Sequence, residues 1–405
     1  MSEREARKYL TVNTLLACIK DRHTTSEELL ADLSESSSKD EFIVDRDRAQ
    51  VLDLMTLHGK PLGTLHGIPV ALALNRPEGF TGNSTVEDLL NTHGALAVIL
   101  NSDKIKASSG ATDVSTRNIL ISSIGQAVLE SRPSLGLGIG RGYDFCLTAS
   151  ELGLFSYVPS FGSVPRYGLT DNLNSLNRVG LLANFIEDIA YFGDLVSYYD
   201  SRDGLNLSYP PPNLLKTFKD EPPVSPALCI CNLDDIRSDY VEDFNVLIGE
   251  LDTTKEQVEL PDFSEMISKF ETELKDNPDN CYVRKSLYEE IFRPGDKKSM
   301  EGQTLTGIDE MFLHLGRYFE RFFLDYDALI LPASQGDMNG DGYISPITKV
   351  AEICGLPMIT LPVLKDKNDE PLGLLLIGKY WEDDRLMRTT NWIINQLFDF
   401  EDESK

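Results

Sequence analysis

Short, unbroken apolar runs alternate with helical patterns along this chain of 405 residues. Each run is short for a helix and is typical of a strand that is buried on both faces of a sheet. The runs cover residues 68–74, 95–100, 328–331, 358–363 and 372–377. Because such strands alternate with helices, the pattern predicts an α/β fold in which helices cover a large sheet.

Three helical segments stand out between the apolar runs. Thr25 and Glu28 have the spacing of a capping box, which predicts that a helix starts there. Residues 384–397 form a second, long helical pattern. The third has apolar residues at helical spacing, which are Leu182, Phe185, Ile189, Phe192 and Val196.

The patterning also changes along the chain and gives the expected domain organisation. We expect one domain over residues 1–400, with residues 62–200 and 326–395 forming a continuous sheet core. Residues 201–325 are charged, irregular and rich in proline near their start, which predicts a peripheral variable region. Residues 401–405 form an acidic tail that is expected to fray.

The charge of the chain narrows the classes of partner. The formal net charge is −27, and a surface this acidic repels nucleic-acid phosphates and anionic membranes. No apolar stretch is long enough to span a bilayer. We therefore expect neither direct nucleic-acid binding nor membrane association, and a basic protein is one candidate partner.

Cysteine and histidine usage gives no sign of a cofactor. The six cysteines are sparse for a chain of this length, which favours a reducing compartment. Only Cys229 and Cys231 are close, and a C-x-C pair alone is a poor metal or redox signal. The first residues lack the apolar segment of a secretory signal. We expect a cytoplasmic protein without a metal or cofactor.

Six segments combine glycine, proline and apolar residues in a distinctive order. They read PLGTLHGIPVA at 61–71, PSFGSVPRYGL at 159–169, SLNRVG at 175–180, DALILP at 327–332, GLPMITLP at 355–362 and PLGLLLIG at 371–378. In this order they resemble the amidase-signature family of amide-cleaving enzymes. The resemblance implies the family fold, a single α/β domain on a large, twisted, mixed sheet with helices on both faces.

The same resemblance implies a catalytic site, and this chain departs from it. The family uses a serine nucleophile, a second serine that relays a proton, and a buried neutral lysine as the base. The lysine position falls on Ala73, whose methyl group cannot accept a proton. The nucleophile position falls on Asp144, and the relay position on Ser122. Of the three positions, only the relay serine is kept.

The surroundings of the nucleophile position differ as well. In the family, small residues let backbone amides face the oxyanion, and here Arg141 and Tyr143 replace them. A hole of this kind needs close backbone approach, which a bulky side chain hinders. The span from Asn75 to Ser122 is also shorter than in the family. The expected lining residues of this degenerate pocket are Asn75, Ser122, Ser123, Arg141, Tyr143 and Asp144.

Two further motifs have a simpler interpretation. The glycines of residues 136–142 suggest a phosphate loop, but the third glycine of that pattern is missing. Residues 337–344 match the front of an EF-hand loop, but the twelfth position is Thr348 rather than a glutamate. We expect neither a phosphate site nor calcium dependence.

Three functions fit these residues. The first is a catalytically inactive amidase homologue that acts as a binding or accessory subunit, with an active paralogue or a basic protein as its partner. The second is an amide-bond hydrolase or amidotransferase A-like enzyme with a remodelled site, in which Asp144 is the nucleophile. The third is a small-molecule receptor that uses the old pocket. The absent lysine and serine nucleophile favour the first.

Overall fold

The computed structural model describes most of the chain. The described residues are 10–34, 42–73, 80–100, 113–130, 135–169, 176–230, 307–333, 344–365 and 371–397, with short stretches between 244 and 268.

One mixed sheet runs through the described part of the chain. Its eleven strands are β1 Phe42–Val44, β2 Pro69–Ala73, β3 Leu96–Leu100, β4 Leu135–Gly140, β5 Phe155–Val158, β6 Arg178–Ala183, β7 Leu228–Ile230, β8 Lys255–Gln257, β9 Ala328–Pro332, β10 Met358–Lys365 and β11 Pro371–Ile377. They are ordered β1-β3-β2-β4-β6-β5-β10-β11-β9-β7-β8. β2 is parallel to β3 and β4, whereas β5 pairs antiparallel with β6 and β10.

Eleven helices accompany the sheet in the same described ranges. They are α1 Val12–Lys20, α2 Ser26–Ser34, α3 Arg46–Leu57, α4 Thr85–Thr92, α5 Asp113–Glu130, α6 Gly142–Leu152, α7 Ile186–Val196, α8 Leu214–Phe218, α9 Gly307–Asp325, α10 Pro346–Ile353 and α11 Asp383–Leu397. Each is too short or too polar to cross a bilayer.

Apolar layers cover both faces of the sheet. Ala71 and Ala73 of β2 pack in a layer with residues of α5, α6, α9 and α10. Val70 and Leu72 of the same strand pack in the opposite layer with residues of α1, α7 and α11. Successive strand residues point to opposite faces, so a strand covered on both sides is apolar at every position. This confirms the predicted α/β class with a buried mixed sheet.

Most elements predicted from the sequence lie where the pattern put them. The five apolar runs fall on β2, β3, β9, β10 and β11. The capping box is present: Glu28 N donates to Thr25 Oγ1 at 3.1 Å, and Thr25 N donates to Glu28 Oε2 at 3.2 Å.

The helix predicted from Leu182 onward begins later than expected. Leu182 lies in β6, where it pairs with Gly136 of β4 and Ser156 of β5. Phe185 is the N-cap, and α7 starts at Ile186. The sequence prediction was wrong at this boundary because a buried strand and the inner face of a helix both require apolar residues.

Two of the glycines at 136–142, Gly136 and Gly138, serve helix packing. Gly136 and Gly138 lie in β4 under α5. A Cβ at Gly136 would overlap Ile124, and one at Gly138 would lie 2.9 Å from Ile121 Cδ1. Glycine here lets the helix approach the strand closely.

Both predicted core segments contribute strands to the sheet. Residues 62–200 supply β2 to β6, and residues 326–395 supply β9 to β11. β5 hydrogen-bonds to β10, which joins the two segments. From the interval 201–325, β7 and β8 extend the sheet at its edge beside β9.

Candidate functional site

The elements that carry the predicted catalytic positions meet near the end of β4. Ala73 ends β2 beside Gly138 of β4. Asp144 lies in the first turn of α6 and is 5% exposed. Its Oδ2 lies 3.8 Å from the position that a Cβ of Gly140 would occupy, and Ile121 of α5 approaches the same position. The sheet and two helices thus bring together the segments that carry Ala73, Ser122 and Asp144.

The serines of the relay position lie within α5. Ser122 and Ser123 are half-buried and follow directly after Ile121. A direct side-chain contact between either serine and Asp144 stays a prediction.

A glutamate that the sequence analysis missed occupies the centre of this site. The side chain of Glu352, on α10, is completely buried. Its Oε1 accepts a hydrogen bond of 2.5 Å from Gly142 N, the first residue of α6. Its Oε2 accepts one of 2.6 Å from Arg141 Nε. The Nη2 of Arg141 completes an ion pair with the same carboxylate oxygen.

Arg141 and Tyr143 complete this arrangement. The Arg141 guanidinium lies over the Tyr143 ring, with 4.9 Å between its central carbon and the ring centroid. Such a stack is favourable because the ring face is electron-rich. Arg141 is thus held between a carboxylate and an aromatic face and is only 9% exposed.

Gly142 has no room for a side chain. An added Cβ would lie 2.6 Å from Met358 Cε and 2.8 Å from Arg178 Nη2. Arg178 is itself fixed, because its Nη1 donates to Pro159 O at 3.1 Å and to Leu356 O at 2.6 Å. The backbone amide of Gly142 therefore faces Glu352 in a tightly packed setting.

The electrostatics of this site favour an anion. The first backbone N–H groups of a helix have no partner within the helix, and the helix dipole adds partial positive charge there. In this protein the anion is internal: the Glu352 carboxylate occupies the N-terminus of α6. By the family resemblance, residues 141–143 are those whose amides would face the oxyanion.

One sequence signal could have revealed Glu352. It stands among the apolar residues of AEIC at 351–354, directly before the GLPMITLP segment. A charged residue within a buried apolar stretch is uncommon and calls for a partner. That partner, Arg141, lies 211 residues away, so no local pattern points to it.

Two predicted features lie outside the described residues. Asn75, one of the expected pocket residues, is among them, and so are residues 337–343 of the EF-hand-like loop. Thr348, at the twelfth position of that loop, is described and lies buried in α10. The described residues contain no cluster of three or more histidine, cysteine or acidic side chains that could hold a metal ion.

Comparison with known proteins identifies relatives. No protein-family model matches the chain. The A subunit of glutamyl-tRNA(Gln) amidotransferase from Picosynechococcus sp. is 23% identical over 426 residues, which cover 85% of this chain and 87% of the relative. Its counterpart from Prochlorococcus marinus is 25% identical over 305 residues. That match spans 63% of this chain and only 62% of the relative.

A solved structure shares the fold over nearly the whole length. The A subunit of glutamyl-tRNA(Gln) amidotransferase from Thermotoga maritima superposes with a TM-score of 0.69 at 19% identity. The superposition covers 96% of this chain and 95% of that chain. The six ordered sequence segments, these relatives and the shared fold together support the assignment of the chain to the amidase-signature family.

Proposed function

We propose that this protein is a catalytically inactive amidase homologue that acts as a binding or accessory subunit. The observation that carries the proposal is the Glu352 carboxylate at the N-terminus of α6. A transition-state oxyanion needs a hydrogen-bond donor there. Here the amide of Gly142 already donates to a buried carboxylate, whose negative charge would repel a second anion.

The other catalytic positions support the same proposal. Ala73 offers no base, and a hydroxyl or water nucleophile needs one. Asp144 is buried on α6 rather than open to solvent. The relatives are named as one subunit of an amidotransferase, which describes a component of an assembly. This supports a protein partner, and an active paralogue or a basic protein fits the net charge of −27.

We also propose that the protein is cytoplasmic. Cys18 and Cys146 are free thiols in the described part of the chain. Burial raises the pKa of the Cys146 thiol to about 12, so this thiol stays protonated and unreactive at neutral pH. A reduced, unreactive cysteine suits a reducing compartment.

An activity assay tests the absence of catalysis. Purified protein is incubated with aryl amides, aryl esters, glutamine and a serine-reactive fluorophosphonate. We expect no turnover and no covalent labelling. Turnover that Asp144→Ala abolishes would overturn the proposal in favour of a rebuilt hydrolase. Labelling at Ser122 or Ser123 would identify an activated serine and would equally contradict it.

Restored catalytic residues provide the matched variants. Asp144→Ser adds a hydroxyl without a base, and Ala73→Lys adds a base without a nucleophile. Catalytic groups that act as a unit are strongly non-additive, so we expect neither single variant to be active. We expect the double variant to stay inactive as well, because Gly142 N still donates its hydrogen bond to Glu352. Activity of any of these variants would show that this hydrogen bond is no barrier.

A further inference from the structure

Helix α3 carries two apolar stripes, and only one of them is packed. Ala49 and Leu52 are buried against residues of β3. On another side of the helix, Val51, Leu54 and Leu57 are 55%, 53% and 56% exposed. Their spacing of three residues puts them on one face. A surface helix normally has a single apolar stripe, so the second stripe indicates an unfilled contact.

A groove lies beside this exposed stripe. It has a volume of about 520 Å³ and runs between α3, the α1–α2 turn and the start of α2. Ile19, Leu54 and Leu57 supply apolar lining. The stripe and the groove together form what we call the α3 face, defined by Ile19, Val51, Leu54 and Leu57.

Hydrogen bonds hold the polar residues at the groove in place. Arg22 Nη2 donates to Leu57 O at 3.0 Å. The Asp53 carboxylate accepts from Ser26 N at 2.7 Å and from Glu27 N at 3.1 Å. Because these bonds tie α3 to the α1–α2 turn and to α2, the groove is already formed before a ligand binds, which lowers the entropic cost of binding.

We propose that the α3 face binds an amphipathic helix of a partner protein, with apolar anchor residues and basic flanks. An apolar groove beside an apolar stripe suits the docking of one helix face. The net charge of the chain favours basic flanks on the partner. A second copy of this chain would bring another formal charge of −27 and be repelled, whereas a basic segment is attracted. This inference rests on the proposed accessory role and names the chemistry of its partner.

Two synthetic peptides test the proposal. One is a helical peptide of leucine and lysine with all leucines on one face, and the other has the same composition with the leucines scattered. Fluorescence anisotropy measures binding at physiological salt. We expect the amphipathic peptide to bind at least about tenfold more tightly than the scattered one. We expect Leu54→Glu to weaken its binding by about tenfold, as the loss of a central anchor does.

Leu324→Glu is the matched control, since Leu324 is 73% exposed on α9 and does not line the groove. If attraction were only electrostatic, each added carboxylate would strengthen binding of the basic peptide. We expect a loss in Leu54→Glu and none in Leu324→Glu. Unchanged or stronger binding to Leu54→Glu overturns the proposal. Leu57→Glu repeats the test if Leu54→Glu melts at a lower temperature than the wild type.

Sedimentation velocity tests whether a second copy of this chain occupies the α3 face instead. A wild-type dimer that Leu54→Glu dissociates would assign the α3 face to a second copy and overturn the proposal of a basic partner. The activity assay separates the two proposals from each other. Amide turnover would overturn the proposed inactive role but would not change the expected peptide binding. Absent peptide binding in a protein without turnover would overturn only the inference about the α3 face.

Discussion

Glu352 and Arg141 form a buried ion pair whose stability can be measured one residue at a time. Glu352→Gln keeps an acceptor for Gly142 N but removes the negative charge opposite Arg141. An unpaired buried charge destabilises a fold by about 3–5 kcal/mol. We expect urea unfolding of Glu352→Gln to show a loss of this order.

A double variant is the control for this pair. Arg141→Met with Glu352→Leu removes both charges and leaves apolar groups of similar volume. Such replacements are often neutral, so the double variant should be more stable than Glu352→Gln. Equal stability of Glu352→Gln and wild type would mean that the carboxylate does not hold Arg141.

Asp188 predicts a pH dependence of stability. It lies in the first turn of α7, and its Oδ1 accepts a hydrogen bond of 2.8 Å from Val12 N. Burial raises the pKa of this carboxyl from 3.8 to about 7. The folded state therefore binds the proton more tightly than the unfolded chain, and stability falls as the pH rises between these values. The full loss is on the order of 4 kcal/mol.

Asp188→Asn tests this slope because an amide does not ionise. We expect the free energy of unfolding of this variant, minus that of wild type, to be larger at pH 8 than at pH 4. Asp200→Asn is the control of opposite sign. The hydrogen bond from Arg202 lowers the pKa of the Asp200 carboxyl to about 2, so that residue contributes stability that is lost only as the pH falls. A change of the same sign in the unfolding free energies of both variants as the pH rises would contradict the raised pKa of Asp188.

At the scale of elements, the packing of α5 on β4 depends on glycine. A Cβ at Gly136 would overlap Ile124 Cγ2, close to the helix backbone. Overpacking of this kind costs about 1–3 kcal/mol. We expect Gly136→Ala to lower the melting temperature, and Ile124→Ala in the same chain to recover part of the loss.

Gly140→Ala is the matched control on the same strand. The nearest atoms to its added Cβ are 3.6 Å away, an ordinary contact distance. We expect little change in melting temperature. An equal loss at both glycines would mean that the backbone freedom of glycine, rather than space under α5, sets the requirement.

At the scale of the whole molecule, the sheet order makes the chain one folding unit. β5 pairs with β10, so a cut near residue 205 would separate hydrogen-bonded strands. It would also expose apolar edges on both halves. We expect the separate fragments 1–205 and 206–405 to lack cooperative unfolding by circular dichroism.

A nicked full-length protein is the control for the fragments. A protease site inserted after Val224, which is 77% exposed, breaks the chain at the surface after folding. We expect the nicked protein to keep its circular dichroism spectrum, because the strand pairs stay in place. Independent, cooperative folding of either fragment would contradict a single core.

Much of the fold followed from the sequence because its signals are local. Buried strands appear as short apolar runs, and the capping box of Thr25 and Glu28 spans three residues. The six ordered segments carried the family resemblance and, through it, the predicted catalytic positions at Ala73 and Asp144. The boundary at Leu182 failed because a local apolar pattern fits a strand and a helix equally well, and only pairing with Gly136 decided between them.

By itself, the sequence determined the fold class, and through its resemblance to a family it predicted the loss of the lysine and serine at the catalytic positions. Only the tertiary structure placed the Glu352 carboxylate on the amide of Gly142, across 210 residues of chain, and left one stripe of α3 exposed. Both features depend on which elements become neighbours. That is decided by strand pairing and core packing over the whole chain, and no local pattern of residues encodes it.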